Sequence, residues 1–206
     1  MIVIIDYDMG NVGSIANMIA KVGGQSVISN DHGAIKNAAK LILPGVGAFD
    51  TGMENIAKFG LLDLLNRKVV EERAPLLGIC LGMQLLGNSS EEGVLPGLGW
   101  IDAKTIKFPH TTPEGEKLRI PHMGWNYAVA KKEDKLFSEM YEQPRFYFVH
   151  SYHVVCSDDA DVLTESEYGI RFHSALSRGN IWGTQFHPEK SHKYGMKLIY
   201  NFVHKI

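Results

Sequence analysis

Cys80 stands in the run Gly78-Ile79-Cys80-Leu81-Gly82, after the apolar Ala74-Pro75-Leu76-Leu77 and before the helix-like Leu81-Gly82-Met83-Gln84-Leu85-Leu86. A strand that ends on one reactive residue in a sharp turn and then enters a helix is the pattern of a nucleophile elbow. A side chain at either flanking glycine would crowd such a turn, whose central residue is commonly strained. The free N–H groups and positive dipole end of a helix start favour a thiolate over a thiol. An ordinary thiol, with a pKa of about 8.5, is only a few per cent thiolate at neutral pH, so an efficient nucleophile also needs a base. Among nine histidines, His187 is the best placed. It ends the apolar strand Ile181–Phe186, and Pro188-Glu189 follows at once. The proline restricts the turn, and Glu189 stands where it could orient the imidazole. Cys80, His187 and Glu189 together predict covalent thiol catalysis. The plain alternatives are a buried core cysteine beside packing glycines and a strand-end histidine next to a solvated glutamate; the combination is far more specific than either half.

The elements that must position these residues are legible as a pattern. Ile2–Asp6 reads as a buried strand, followed by the loop Tyr7–Gly10 and a helix over Ser14–Val22 with Ile15, Met18, Ile19 and Val22 on one face. Gln25–Ser29 reads as a strand, Asp31–Ala38 as a short helix capped by Asp31, and Lys40–Leu43 as a third strand ending at Pro44-Gly45-Val46-Gly47. A helix is predicted over Leu61–Glu72, and Leu76–Ile79 is the strand that feeds the elbow. Alternating strands and helices imply βαβ units and a mostly parallel sheet with helices on both faces. The second half is β-rich instead: Trp100–Phe108, Trp125–Ala130, Arg145–Ser151, Val162–Glu167, Ile170–Ser177 and Ile181–Phe186, with turn signals at Gly169 and Gly179-Asn180. Antiparallel hairpins along one sheet edge are expected there. A closing helix is predicted from about His192 to His204. No repeat or linker interrupts the 206 residues, so one domain, 1–206, is expected.

Composition narrows the function. With 45% apolar and 21% charged residues the chain reads as an ordinary globular protein, and a net charge of −2 argues against nucleic acid or an anionic membrane as partner. Met1-Ile2-Val3-Ile4-Ile5-Asp6 reads as a first strand rather than a signal peptide, and no apolar run approaches the roughly 20 residues of a membrane span. The only cysteines, Cys80 and Cys156, lie far apart without a disulfide pattern, which favours reduced thiols and a cytoplasmic setting. Cys156 lacks flanking glycines and reads as structural. His122, His153, His173 and His192 show no spacing that demands a metal, and no metal or organic cofactor is expected.

These motifs carry a resemblance. The chain is similar end to end to class I (triad-type) glutamine amidotransferases, and most of all to the glutaminase subunits of imidazole glycerol phosphate synthase. The matching segments are Asp6-Tyr7 with Gly10-Asn11, Pro44-Gly45-Val46-Gly47-Ala48-Phe49, Leu77 to Gln84, Pro121-His122-Met123-Gly124-Trp125-Asn126, Phe148-Val149-His150-Ser151-Tyr152 and Gln185-Phe186-His187-Pro188-Glu189-Lys190-Ser191. The resemblance implies a flavodoxin-like α/β fold and hydrolysis of L-glutamine to glutamate and ammonia. Cys80 would attack the side-chain amide, His187 would shuttle the proton and Glu189 would hold His187. An oxyanion hole would be built from Leu81, Val46 and Gly47. Gln84 and the backbone at His150, Ser151 and Tyr152 would bind glutamine, Gln84 being otherwise an ordinary helix-surface residue.

The resemblance also implies a partner, a (β/α)8-barrel synthase (cyclase) subunit forming a heterodimer. It would receive the ammonia and make imidazole glycerol phosphate and an aminoimidazole carboxamide ribotide in histidine biosynthesis. Asn11, Trp125, Tyr147 and Lys190 match the docking face, with Met123–Asn126 read as a presented loop. Glycines around Val46 would let the loop turn a carbonyl out of, and an N–H into, the oxyanion site. Two other readings stay open at this point: the same glutaminase serving a sugar amidotransferase of surface-polysaccharide synthesis, and a non-catalytic flavodoxin-like binding or chaperone protein.

Overall fold

A computed structural model describes all residues, 1–206. Its strands are β1 (Ile2–Ile5), β2 (Ser26–Ser29), β3 (Lys40–Leu43), β4 (Leu76–Ile79), β5 (Ser89–Ser90), β6 (Ala103–Lys107), β7 (His122–Tyr127), β8 (Val129–Ala130), β9 (Arg145–His150), β10 (Tyr152–Cys156), β11 (Val162–Tyr168), β12 (Ile170–Arg178) and β13 (Ile181–Thr184). The helices are α1 (Val12–Lys21), α2 (His32–Lys36), α3 (Phe49–Lys58), α4 (Leu62–Leu65), α5 (Leu81–Gln84) and α6 (His192–His204).

One sheet runs in the order β2-β1-β3-β4-β13-β12-β10-β6-β5, with β11 paired to β12 and β8 beyond it. From β2 to β13 the pairing is parallel. β12, β10 and β6 continue it antiparallel. The expected α/β fold with an antiparallel edge is therefore what forms.

Alternation along the parallel strands builds two cores. Val3, Ile5, Leu41, Leu43 and Leu76 face one side, with Ile35, Met53, Ile56 and Leu65 from the helices. Ile2, Ile4, Ile42, Leu77 and Ile79 face the other, against Ile15, Ile19, Leu198, Ile199 and Phe202 of α1 and α6. Strands buried on both faces must be apolar throughout, which is why they read as continuous runs.

Several expectations need correction. α3 was not expected, although Phe49, Met53 and Ile56 stand at i, i+4 and i+7. Gly52 interrupts the apolar pattern because it lies against α5: a Cβ there would approach Leu85 Cδ1 to 3.1 Å. The helix expected over Leu61–Glu72 is α4 running into a π-helical turn, Asn66–Glu71. Met123–Asn126 is not a loop but the middle of β7, paired antiparallel with β9 in a two-stranded ribbon outside the main sheet. That pairing is long-range, and the strand predicted at Trp125–Ala130 is displaced by it to His122–Tyr127. Tyr152–Cys156 is a strand as well, hydrogen-bonded to β6 and β12.

Candidate active site

β4 delivers Cys80 to the carboxyl end of the sheet, where open α/β sheets collect their chemistry. The cysteine adopts φ +54°, ψ −110°, a strained turn for a non-glycine residue. Its N–H is anchored on the Thr184 carbonyl of the neighbouring β13 at 2.7 Å. The flanking glycines are required by close backbone approach rather than by unusual dihedrals. A Cβ on Gly82 would lie 1.9 Å from the Leu43 carbonyl oxygen, and one on Gly78 would lie 2.7 Å from that of Gly82. α5 spans only four residues, so little macrodipole accumulates. Polarisation of the sulfur falls instead to its immediate neighbours.

Those neighbours come from the end of β13. Thr184 pairs with Ile79, so the chain leaving β13 runs beside the elbow and brings Gln185 and His187 to the sulfur. The His187 N–H is fixed on the Tyr147 carbonyl of β9 at 2.9 Å. Its Nδ1 meets Glu189 Oε1 at 2.8 Å, both side chains being 2% exposed. Nε2 is buried and makes no hydrogen bond in the resting geometry. Burial works to lower the pKa of His187, but Cys80 and Glu189 outweigh it and push it up to about 10. A positively charged imidazole between a sulfur and a carboxylate is the preferred arrangement.

A cavity of about 330 Å³ opens on Cys80 and is lined by Val46, Gly47, Leu81, Gln84, Glu92, Pro121, Val149, His150, Ser151 and Tyr152. Every residue expected for the oxyanion hole and for glutamine binding thus converges on the nucleophile. Gln84 is buried rather than on a helix surface, with its Nε2 donating to the Tyr152 carbonyl (3.3 Å) and to Gln185 Oε1 (3.1 Å). The Leu81 N–H donates to the Gly45 carbonyl at 3.3 Å. The loop is held from behind by the Tyr7 hydroxyl, which donates to the Pro44 carbonyl. Burial, and then the charge of Cys80, raise the pKa of Tyr7, keeping the phenol protonated as a donor.

Glu92 was not foreseen. Its Oε2 accepts the Phe49 N–H at 2.9 Å, which places a carboxylate in the cavity. Ser90-Glu91-Glu92-Gly93 resembles any exposed acidic turn, so no local signal marks it. A larger open groove of about 1090 Å³ lies beside the ribbon, among Tyr127, Tyr141, Glu165 and Arg171, and holds neither cysteine nor histidine.

Three of the four residues expected to face a partner are together. The Trp125 and Tyr147 rings are 6.4 Å apart, and Lys190 Nζ lies 5.9 Å from the Tyr147 ring centroid. His192 stacks on Trp125 at 5.4 Å and 3°. Asn11 is exposed at the start of α1, whose Ser14 and Asn17 line a cavity with Lys190. Cys156 is buried, and burial followed by the Asp161 charge pushes its thiol up to about 12. It is inert, as expected of a structural thiol. No group of three or more His, Cys, Asp or Glu is placed to hold a metal, and no helix is long and apolar enough to cross a membrane.

A model of the family described as "Glutamine amidotransferase class-I" matches residues 3–206. The chain belongs to the class-I glutamine amidotransferases. It is 60% identical over 203 residues to "Imidazole glycerol phosphate synthase subunit HisH 2" of Methanococcus maripaludis, covering 98% of both chains. It is 49% identical to the protein of the same name from Pseudomonas aeruginosa, again with 98% of both chains covered. A third relative, "Imidazole glycerol phosphate synthase subunit HisH" of Sulfurimonas denitrificans, is 47% identical, with 98% of this chain and 97% of the relative covered. Among solved structures, a glutamine amidotransferase superposes with a TM-score of 0.67 at 19% identity, over 96% of this chain and 98% of that one. PurLQS from Thermotoga maritima superposes with a TM-score of 0.66 at 18% identity, over 98% and 96%. At those identities the structures show the amidotransferase fold alone. Within the family, the buried Cys80, His187 and Glu189 leave no support for a non-catalytic reading.

Proposed function

We propose that this amidotransferase, read as one domain over 1–206, is the glutaminase subunit of an imidazole glycerol phosphate synthase in histidine biosynthesis. The His187–Glu189 bond at 2.8 Å beside Cys80 carries the chemistry, and 60% identity over nearly the whole chain supports the pathway. The Cys80 thiolate attacks the carboxamide carbon of L-glutamine. His187, protonated on Nε2, hands its proton to the departing nitrogen, and ammonia leaves a glutamyl thioester. His187 then takes a proton from water, which adds to the thioester. Collapse releases glutamate and restores the thiolate–imidazolium pair.

Glutamine lies in the cavity with its α-ammonium toward Glu92, while Gln84 and the backbone of His150, Ser151 and Tyr152 hold the amino-acid end. The oxyanion is received by the Leu81 N–H and by an N–H of the Val46–Gly47 segment. The bond from Leu81 to the Gly45 carbonyl gives this hole a closed resting form. A rotated loop frees one donor and supplies another, and losing one such donor costs about 10²–10³ in rate. Gly47, at φ +118°, makes the rotation feasible.

The ammonia acceptor is a separate synthase subunit, a (β/α)8 barrel forming a heterodimer over Asn11, Trp125, Tyr147 and Lys190. The setting is cytoplasmic, with neither nucleic acid nor membrane as partner. Glutamine hydrolysis by the purified chain, with and without the synthase subunit loaded with its nucleotide substrate, tests the proposal. Activity is expected in the loaded complex and is lost in Cys80→Ala while the two subunits still associate. Equal hydrolysis by the chain alone would refute the closed resting loop, and unchanged activity of Cys80→Ala would refute the catalytic assignment.

A further inference from the structure

A run of buried hydrogen bonds links the ribbon to the catalytic sulfur, and each bond has only one possible direction. His150 Nδ1 lies 2.7 Å from the Tyr152 carbonyl oxygen. A carbonyl only accepts, so Nδ1 carries the proton and Nε2 of the neutral ring is an acceptor. His122 Nδ1, 2.9 Å away, must therefore be the donor to it. His122 Nε2 is then left to accept from Asn126 Nδ2 at 3.2 Å. Asn126 is fixed in turn, its amide nitrogen also donating to the Glu167 carbonyl (2.8 Å) and its oxygen accepting the Tyr127 N–H (2.8 Å). Burial holds His122 down to about 4 and His150 well below its ordinary value, so both rings are neutral near pH 7.

The other side of the Tyr152 carbonyl is determined by the same rule. Gln84 Nε2 also points at that oxygen, and therefore is the amide nitrogen. The same nitrogen donates to Gln185 Oε1. Gln185, fully buried, is thereby forced to turn its own NH₂ toward Cys80 Sγ, 3.8 Å away. Flipping Gln84 would set its oxygen against the Tyr152 and Gln185 oxygens, and flipping Gln185 would set one NH₂ against another.

We infer that Gln185 is a catalytic residue that hydrogen-bonds the nucleophilic sulfur, and that Gln84, the Tyr152 carbonyl, His150 and His122 are the positioning chain that keeps its NH₂ aimed there. The inference deepens the glutaminase reading and rests on Cys80 being the nucleophile. The charged groups around the sulfur are His187, with Glu189 behind it, and Glu92 across the cavity. Gln185 adds a donor without adding charge. It stabilises the thiolate in the free enzyme and releases it as the sulfur becomes a neutral thioester, so it favours the resting nucleophile and the final collapse alike.

The test reads the sulfur directly. Alkylation of Cys80 by iodoacetamide is followed by peptide mass spectrometry across pH on the full chain, with buried Cys156 as internal control. A hydrogen bond to a charged group corresponds to roughly a 10- to 100-fold change in the thiolate equilibrium. Gln185→Leu is expected to slow alkylation at neutral pH by that factor and to move its midpoint up by about one to two pH units. Gln185→Glu keeps the shape and the acceptor for Gln84 if the leucine variant does not fold, and moves the midpoint up as well. His122→Phe, which retains a ring between Phe148 and Tyr168, gives a smaller shift in the same direction. A wild-type midpoint in a folded Gln185 variant overturns the role of Gln185, and one in His122→Phe overturns the positioning chain. Alkylation needs no glutamine. If Cys80 is not the nucleophile, Cys80→Ala retains hydrolysis, an outcome separate from any midpoint.

Discussion

Replacing Glu189 with glutamine isolates the charge of the carboxylate from its geometry. Glu189 Oε1 receives the Nδ1 proton of His187 at 2.8 Å, and Oε2 is buried without a partner. The variant amide can therefore keep its oxygen on His187 and put its nitrogen where no hydrogen bond existed. What is lost is the opposite charge. An opposite charge at this range moves a pKa by about 1–3 units. His187 is held at about 10 by Cys80 and Glu189 against the lowering effect of burial, and Glu189→Gln would leave it at about 7–9. The imidazolium is the acid that expels ammonia, so the basic limb of the rate profile follows this group and moves toward lower pH by the same interval. The loss in kcat/KM is therefore about twofold or less at pH 7 and grows with pH toward about 10- to 1000-fold at the alkaline end, one factor of ten per unit of lowered pKa. Ammonia release by the chain saturated with its synthase subunit, measured from pH 6 to 10.5 or so, reads both effects. A basic limb that stays in place, with kcat/KM within about threefold of wild type at the alkaline end, would mean that Glu189 does not act on His187 through charge.

Gly82→Ala sets a Cβ 1.9 Å from the Leu43 carbonyl oxygen, and urea denaturation should show a loss of about 3 kcal/mol, the upper end for overpacking. Gly47→Ala strains a backbone at φ +118°. It should lower glutaminase activity of the complex by up to about 10²–10³-fold, while titration calorimetry finds unaltered affinity for the synthase subunit. His122 and His153 have folded pKa values lowered to about 4 by burial. Their contribution to stability is complete above the unfolded value of about 6.5 and is lost as pH falls toward 4, at up to about 1.4 kcal/mol per pH unit each. Thermal melts between pH 7 and 4 should follow that slope, and His153→Phe should flatten it.

The chemistry was legible where it is local. Cys80 between its glycines and His187 before Pro188-Glu189 announce themselves in a few residues of sequence, because a sharp turn and a strand end impose steric rules on their immediate neighbours. The parallel half was legible because strands covered on both faces have to be apolar. What escaped depends on distant chain. β7 is set by its register with β9, not by its own pattern, so its limits were displaced. α3 hides behind Gly52, which the distant Leu81 and Leu85 explain. Glu92 carries no signature, and the side-chain hydrogen bonds of Gln185, His122 and His150 were hidden although their segments were marked, because what defines each is a partner many residues away.

Cys80 and His187 issue from neighbouring, paired strands, so the distance between them is geared to the inter-strand repeat of roughly 4.8 Å, a length that no insertion in a surface loop can alter. The ribbon of β7 and β9 stands outside that sheet and touches the pair through the bridge between Tyr147 and His187. Its outward residues are free to diverge without disturbing the gauge of the hydrolytic pair. The proposed docking face is thus a replaceable collar on a fixed cartridge: its outward side chains can be exchanged without moving the nucleophile against its base.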